Sequence, residues 1–390
     1  MKRIAILMML LIALQLKAQT YNKVVFYVSP HPDDWQLFSG IDAWNDMIKD
    51  STKVVFIYIT AGDAGLLSGT CCDAATPYYL AREKGAKYSA EFAINSVSFP
   101  HAPFKGSTGH PKFNTHSILR YRYQNTTSYF LRLPDGSFDG TLPFSLQRFY
   151  NNELDSISSV DQTASYQNWS DLKLTVRGII NNEKAGISEK WIRYPDPVAT
   201  LNPNDNSDHL YSGLLIQDAI QTMTDVNQHL YKTYITGYMS KNLSKDETKL
   251  ESALFAAYCM GITISKYPTD WVESYTTYLD KNFYRVIEES DTLELKDCIQ
   301  SDEPTVILFD CFPNPAFESV EIKFELKKPL PVTIEIFNEE CRLCITMLNE
   351  KKEAGIYSLK TNAGNLKEGI YLVKLSTPAV IEETSFIVSK

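Results

Sequence analysis

Two short, unbroken apolar runs open the patterned part of the chain, at 24–28 (Val-Val-Phe-Tyr-Val) and 54–60 (Val-Val-Phe-Ile-Tyr-Ile-Thr). Their β-branched and aromatic content predicts strands of a sheet covered on both faces. Between them Leu37, Phe38, Ile41, Trp44 and Ile48 recur at helical spacing, predicting one helix over 35–48. Strand, helix, strand implies a right-handed parallel crossover. Further helices are predicted at 78–93, 171–182, 210–223 and 248–260. The stretch 104–169 is irregular and long enough to build walls around a site. Within it, residues 128–133 read as a strand entering the turn Pro134-Asp135-Gly136. The period changes near Asp302-Glu303-Pro304. Beyond that point Val320, Ile322, Phe324 and Leu326 alternate with charged residues, and Val332, Ile334 and Ile336 repeat the pattern. Ile356, Ile370, Leu372 and Phe386 mark later strands, with Gly355 and Gly369 at turns. Evenly spaced short strands predict a small antiparallel sandwich. The expected architecture is therefore an α/β parallel-sheet domain over 19–300, followed by a β-sandwich over 301–390.

Residues 1–18 fall outside that scheme. Lys2 and Arg3 precede an apolar stretch from Ile4 to Leu16, and Ala18 ends a plausible cleavage site. The expectation is a secretory signal peptide, too short to span a bilayer. Loss of Lys2, Arg3 and Lys17 takes the formal charge from −9 to −12. With no basic cluster to offset it, such a surface repels phosphate backbones, so nucleic acid is not an expected partner. No later segment reaches transmembrane length. Cys71, Cys72, Cys259, Cys298, Cys311, Cys341 and Cys344 match no disulfide framework, and Cys341-x-x-Cys344 has no second Cys or His pair to complete a zinc site.

The candidate chemistry sits at the end of the first strand, in Ser29-Pro30-His31-Pro32-Asp33-Asp34. Open α/β sheets bind ligands outside the carboxyl ends of their strands. A second polar cluster, Asp205-Asn206-Ser207-Asp208-His209, can supply a second imidazole. Two histidines and a carboxylate make a three-ligand zinc site with an open fourth position, which points to metal-assisted hydrolysis. A plainer account makes Asp33 a helix N-cap with Gln36 three residues on. It leaves His31 and the second aspartate unexplained. His101, His110, His116 and His229 have no carboxylate at ligand spacing and read as surface or core residues. Tyr121, Tyr123, Tyr129 and Phe130 offer flat faces suited to a sugar ring, or to the core.

His31-Pro32-Asp33-Asp34, the loop 60–65, Arg82 and Asp208-His209 resemble, in order and spacing, the PIG-L/LmbE-like de-N-acetylase family over roughly 22–286. The resemblance implies a Rossmann-like fold and a zinc-dependent hydrolase that removes acetyl groups from N-acetylglucosamine-type sugars of a glycan or glycolipid. It further implies His31, Asp34 and His209 as ligands of one zinc or other divalent ion. Asp33 becomes the general base and Arg82 a residue that reaches the substrate. Asp208 would support a neighbouring ligand. Two positions depart from the pattern: Trp35 follows the aspartate pair, and Asn206 stands where the family often has histidine. An amide can hydrogen-bond but cannot donate a proton as imidazolium does, so the alternative is a non-catalytic glycan-binding protein that keeps its metal. A nucleotide-binding reading lacks the Gly-x-Gly-x-x-Gly turn.

Phe312-Pro313-Asn314-Pro315, the alternating strands, Glu368-Gly369-Ile370-Tyr371 and the final Phe386-Ile387-Val388-Ser389-Lys390 resemble the sorting domain of type IX secretion in Bacteroidetes-like bacteria. That resemblance implies the type IX machinery as a partner and export through the periplasm to the surface or beyond. A plain carbohydrate-binding sandwich is the alternative, without an evident aromatic platform on these strands.

Overall fold

The computed structural model of the chain describes residues 21–64, 76–97, 104–287, 306–308, 311–338, 342–377 and 381–390. The expected leader, the boundary near 300, Gly65, His101, Cys71, Cys72, Cys298 and Cys341 lie outside these residues. The chain divides into two units, 1–293 and 294–390.

The first unit is built on eight strands: β1 (Lys23–Ser29), β2 (Thr52–Thr60), β3 (Ser107–Gly109), β4 (Leu119–Tyr123), β5 (Thr126–Leu133), β6 (Glu189–Pro195), β7 (Asn227–Tyr231) and β8 (Tyr284–Ile287). They form one sheet in the order β8-β7-β6-β1-β2-β5-β4-β3. The five central strands are parallel. The edges are antiparallel, so the expected parallel sheet is the centre of a mixed one. The reason is local: β4 and β5 are joined through Gln124, at φ 52°, and Asn125, a connection too short for a parallel crossover. Taken in chain order, the parallel strands lie 3-2-1-4-5. The order reverses between β1 and β6, and that reversal opens a crevice at their carboxyl ends.

Alternate residues of the central strands face opposite layers. Val25, Tyr27, Val54 and Phe56 pack with helices α1 (Asp34–Phe38), α2 (Gly40–Met47) and α3 (Tyr78–Val97) on one side. Val24, Phe26, Val55 and Ile57 pack against α4 (Trp169–Lys184) and α5 (Ser207–Ile220) on the other. The single helix expected over 35–48 is two helices, broken at Ser39 (φ −151°, ψ 24°). The break lies where α6 (Lys245–Ile264) presses in: a Cβ on Gly40 would stand 3.0 Å from Cγ of Glu251. Trp35 is fully buried, its indole 4.7 Å from Phe56 and donating to Tyr58 Oη at 3.0 Å. It is a core residue. Helices α3 and α6 cross at two glycines, and a Cβ on Gly261 would lie 2.5 Å from Gly85 Cα.

The second unit has a three-stranded sheet, β9 (Val306–Leu308), β10 (Ser319–Leu326) and β13 (Gly355–Asn362). It also has a four-stranded one, β11 (Leu330–Asn338), β12 (Leu343–Lys352), β14 (Gly369–Ser376) and β15 (Ile381–Val388). Both are antiparallel and share one core, to which Val320, Ile322, Phe324 and Leu326 contribute from one sheet and Val332, Ile334 and Ile336 from the other. The sandwich follows from period-two alternation. Ile356 and Leu372 lie on strands as expected but outside that core, with Ile356 70 % exposed. No helix among the described residues is long and apolar enough to cross a membrane.

Candidate metal centre and hydrolytic site

The chain leaves β1 through a tight turn over the strand's carboxyl end. Ser29 Oγ donates to the His31 carbonyl at 2.6 Å, and the His31 amide donates to Asp34 Oδ2 at 2.6 Å. These bonds fold the His31 and Asp34 side chains together, with His31 Nδ1 3.2 Å from Asp34 Oδ2. Asp33 occupies the N-cap position of α1 but makes no capping bond, and its carboxylate turns to Arg82 and the cavity. His209 arrives from across the reversal point, in the first turn of α5. Asn206 caps that helix, its side-chain oxygen accepting from the Asp208 amide at 2.7 Å.

His209 Nε2 lies 3.3 Å from Asp34 Oδ1, and the two imidazole centroids are 5.2 Å apart. The potential ligand atoms of His31, Asp34 and His209 all fall within 4.8 Å of one another, and all three residues are buried. Each imidazole is oriented from behind by carboxylates. His209 Nδ1 is 2.8 Å from Asp205 Oδ1, whose other oxygen accepts from Thr233. His31 Nε2 faces Asp208 Oδ2 at 3.4 Å and Asp135 Oδ2 at 3.8 Å, ion-pair contacts rather than aligned hydrogen bonds. Asp208 itself accepts from the Gly136 amide at 2.9 Å.

The electrostatics match a cation-holding cluster. Burial alone would lower the His209 pKa, but the Asp205 and Asp34 carboxylates outweigh it and push it up to about 10. His31 is raised well above its ordinary value in the same way, chiefly by Asp34 working against burial. Asp34 is lowered: burial opposes ionisation, and the two imidazoles overcome it. His209 Nε2 is buried without a hydrogen-bond partner. An orphaned imidazole nitrogen beside a carboxylate and a second imidazole is a donor set that fits zinc or a comparable divalent ion.

Asp33 lies beside this triad and is paired with Arg82. Burial raises its carboxyl pKa, Arg82 pulls it back, and Asp34 adds to the rise. Arg82 is also bonded to the protein, Nη1 donating to the Gly62 carbonyl at 2.6 Å and Nε to Tyr258 Oη at 2.8 Å. The arginine thus positions Asp33 from within the cavity wall. Gly62 is required there twice over: its φ is 55°, and a Cβ would stand 2.5 Å from Arg82 Nη1. A cavity of about 220 Å³ opens above these groups, bounded among others by His31, Asp33, Arg82, Asp135, Asn206 and Tyr234.

The sequence named Asp135 only in a turn and Asp205 only in the second polar cluster, without assigning either a place in the site. Asp135 joins the site through long-range folding, 3.8 Å from His31 Nε2. Asp205 stands four residues before His209, the helical spacing that could have flagged it. Tyr121, Tyr123, Tyr129 and Phe130 carry two readings, sugar face or core, and none of the four lines the cavity. Tyr123, Tyr129 and Phe130 are core residues, and Tyr121 donates to Glu91. The cavity's aromatics are instead Phe138, Tyr234 and Tyr275. His116 does meet a carboxylate, 2.9 Å from Asp171 Oδ1, a contact formed between segments 55 residues apart.

Residues 310–389 match the family model of the secretion system C-terminal sorting domain. This segment is a type IX sorting domain. The chain is thus a type IX-secreted protein of Bacteroidetes, exported to the surface or outside. No curated protein matches the chain. Among solved structures it is similar to N,N'-diacetylchitobiose deacetylase from Pyrococcus horikoshii, at 17% identity and a TM-score of 0.39, over 69% of this chain and 85% of that one. It is also similar to dimeric latent PorU from Porphyromonas gingivalis, at 17% identity and a TM-score of 0.20, over 28% of this chain and 11% of that one.

Proposed function

We propose that the first unit is a metal-dependent N-deacetylase acting on N-acetylated sugars of a glycan or glycolipid. The observation that carries this reading is the convergence of His31, Asp34 and His209 at the sheet's reversal point, with Asp33 on the same cavity. The three would hold one zinc or other divalent ion. When bound, it would supply Lewis-acid activation of water and of the acyl carbonyl.

The chain's own groups account for the rest. Asp33 takes the proton from the attacking water, a role for which a buried carboxylate of raised pKa is suited. Arg82 fixes the direction of that carboxylate through its pair with Asp33 and its bonds to Gly62 and Tyr258. Asp205 and Asp208 fix the imidazole orientations. Asn206 carries no ionisable proton and its oxygen is held in the α5 cap, so Asp33 returns the proton to the leaving amine. The C–N bond breaks, giving acetate and a free amino sugar. The test is metal content of the purified protein together with acetate release from N-acetylhexosamine saccharides. Stoichiometric metal with acetate release supports the hydrolase. Metal and saccharide binding without release would mark a glycan-binding protein instead, and absence of metal would sink the site.

A further inference from the structure

From His209 to solvent runs a ladder of rings that the hydrolytic chemistry does not use. Tyr234 lies edge-on to His209, centroids 4.8 Å apart. Tyr278 is near-parallel to Tyr234 at 5.5 Å, and Phe138 is parallel to it within 5° at 6.1 Å. Tyr234 and Phe138 both border the cavity, yet Phe138 remains 52 % exposed. It sits in an otherwise polar loop, Asp135-Gly136-Ser137-Phe138-Asp139-Gly140, where an exposed phenyl ring adds nothing to the core.

The loop holds this ring in place. The Phe138 carbonyl accepts from the Ser207 amide at 2.8 Å, tying it to the start of α5. Gly140, at φ 69°, carries its carbonyl to Ser145 Oγ at 2.6 Å. A Cβ on Gly140 would stand 2.3 Å from Ser207 Oγ, so the loop lies flat on the helix. An aromatic face fixed in advance binds at a smaller entropic cost than one ordered by its ligand.

We propose that Phe138, continuous with Tyr234, is the platform of a second sugar subsite, so that the substrate is an oligosaccharide rather than a single amino sugar. A cavity of about 220 Å³ is smaller than the ~300–1,000 Å³ of ordinary ligand pockets. It holds the ring that carries the acetamido group and leaves the next ring of the chain outside, where Phe138 stands. Flat apolar faces suit the C–H face of a pyranose, whose hydroxyls stay in water. The proposal rests on the deacetylase reading for the identity of the ring in the cavity.

The test measures binding and turnover separately. In metal-loaded Asp33→Asn protein, calorimetry compares N-acetylglucosamine with its β-1,4-linked tetrasaccharide. The tetrasaccharide is expected to bind about tenfold more tightly, with Phe138→Ala erasing that margin and Phe138→Trp keeping it. Equal affinities for the two saccharides, no binding of either, or an equal loss on both in Phe138→Ala would overturn the subsite. With Asp33 intact, Phe138→Ala is expected to raise KM for the tetrasaccharide about tenfold, by more than it raises KM for the monosaccharide, with kcat for the tetrasaccharide little changed. A preserved tetrasaccharide preference without acetate release removes the hydrolase reading and leaves the subsite. Acetate release with no preference between substrates does the opposite.

Discussion

Two buried histidines of the first unit, His209 on α5 and His229 on β7, have been driven in opposite directions. His209 stands among carboxylates and is raised to about 10, whereas His229 is lowered to about 2 by burial and then by Arg193. Around His229 the charges close on themselves. Arg193 bridges to Asp42 at 2.8 Å and Asp46 at 3.4 Å, Tyr27 donates to Asp46 at 2.7 Å, and the imidazole packs on Tyr284 at 3.6 Å. Around His209 they do not, because three acceptor-rich groups face one another across a cavity. In the function proposed above, the cluster around His229 serves the fold, and the one around His209, at a strand's carboxyl end, is where a cation would be held. The sign of each histidine's perturbation follows its neighbours, carboxylates beside His209 and an arginine beside His229.

The contrast breaks most sharply under substitution. His209→Ala is expected to abolish stoichiometric metal and acetate release, while His229→Gln keeps both, as read by elemental analysis beside an acetate assay. Metal retained in His209→Ala would end the distinction. Asp33→Asn should lower acetate release by about 10²–10⁴-fold with metal content intact. Unchanged turnover would reassign the base. Asp205→Asn should weaken metal binding by about 10–100-fold in chelator competition, because the carboxylate that orients His209 is lost. Gly62→Ala should displace Arg82 and lower kcat with little change in metal affinity, since its Cβ meets Nη1 at 2.5 Å.

The smallest effect concerns pH. His229 has a folded pKa of about 2 against an ordinary 6.5, so between those values the unfolded chain binds a proton that the native state refuses. Its contribution to stability is complete above 6.5 and declines as pH falls, by up to about 1.4 kcal/mol per pH unit. Denaturation midpoints of His229→Gln should therefore depend less steeply on pH between 6 and 4 than those of the parent. An identical slope would mean that His229 is protonated in the fold.

What could be read from the chain was whatever local patterning controls. Val24–Val28 and its neighbour strand are continuous apolar runs, and the charged alternation of β10 announces a sandwich. The motif His31-Pro32-Asp33-Asp34 is likewise local, and its tight turn follows from Ser29 and Asp34 bonding within six residues. Asp135 was hidden because its role depends on β5 ending beside β1's loop across the sheet. The break at Ser39 was hidden, and the close approach beside it, of Gly40 to Glu251, joins helices more than 200 residues apart. Tyr129 and Phe130 left two readings open, sugar face or core, for a simpler reason. A β-strand aromatic faces core or solvent according to register, and here both faces of β5 are covered.

The contact between Gly85 and Gly261 has a reach beyond packing. A Cβ on Gly85 would strike Tyr258 at 2.7 Å, and Tyr258 is what holds the Arg82 guanidinium against Asp33. The direction of the Asp33 carboxylate thus depends on two missing methyl groups, one on the helix that carries Arg82 and one on the helix that carries Tyr258. A survey of inactive variants scored by turnover alone would recover both glycines and mistake them for members of the reaction machinery.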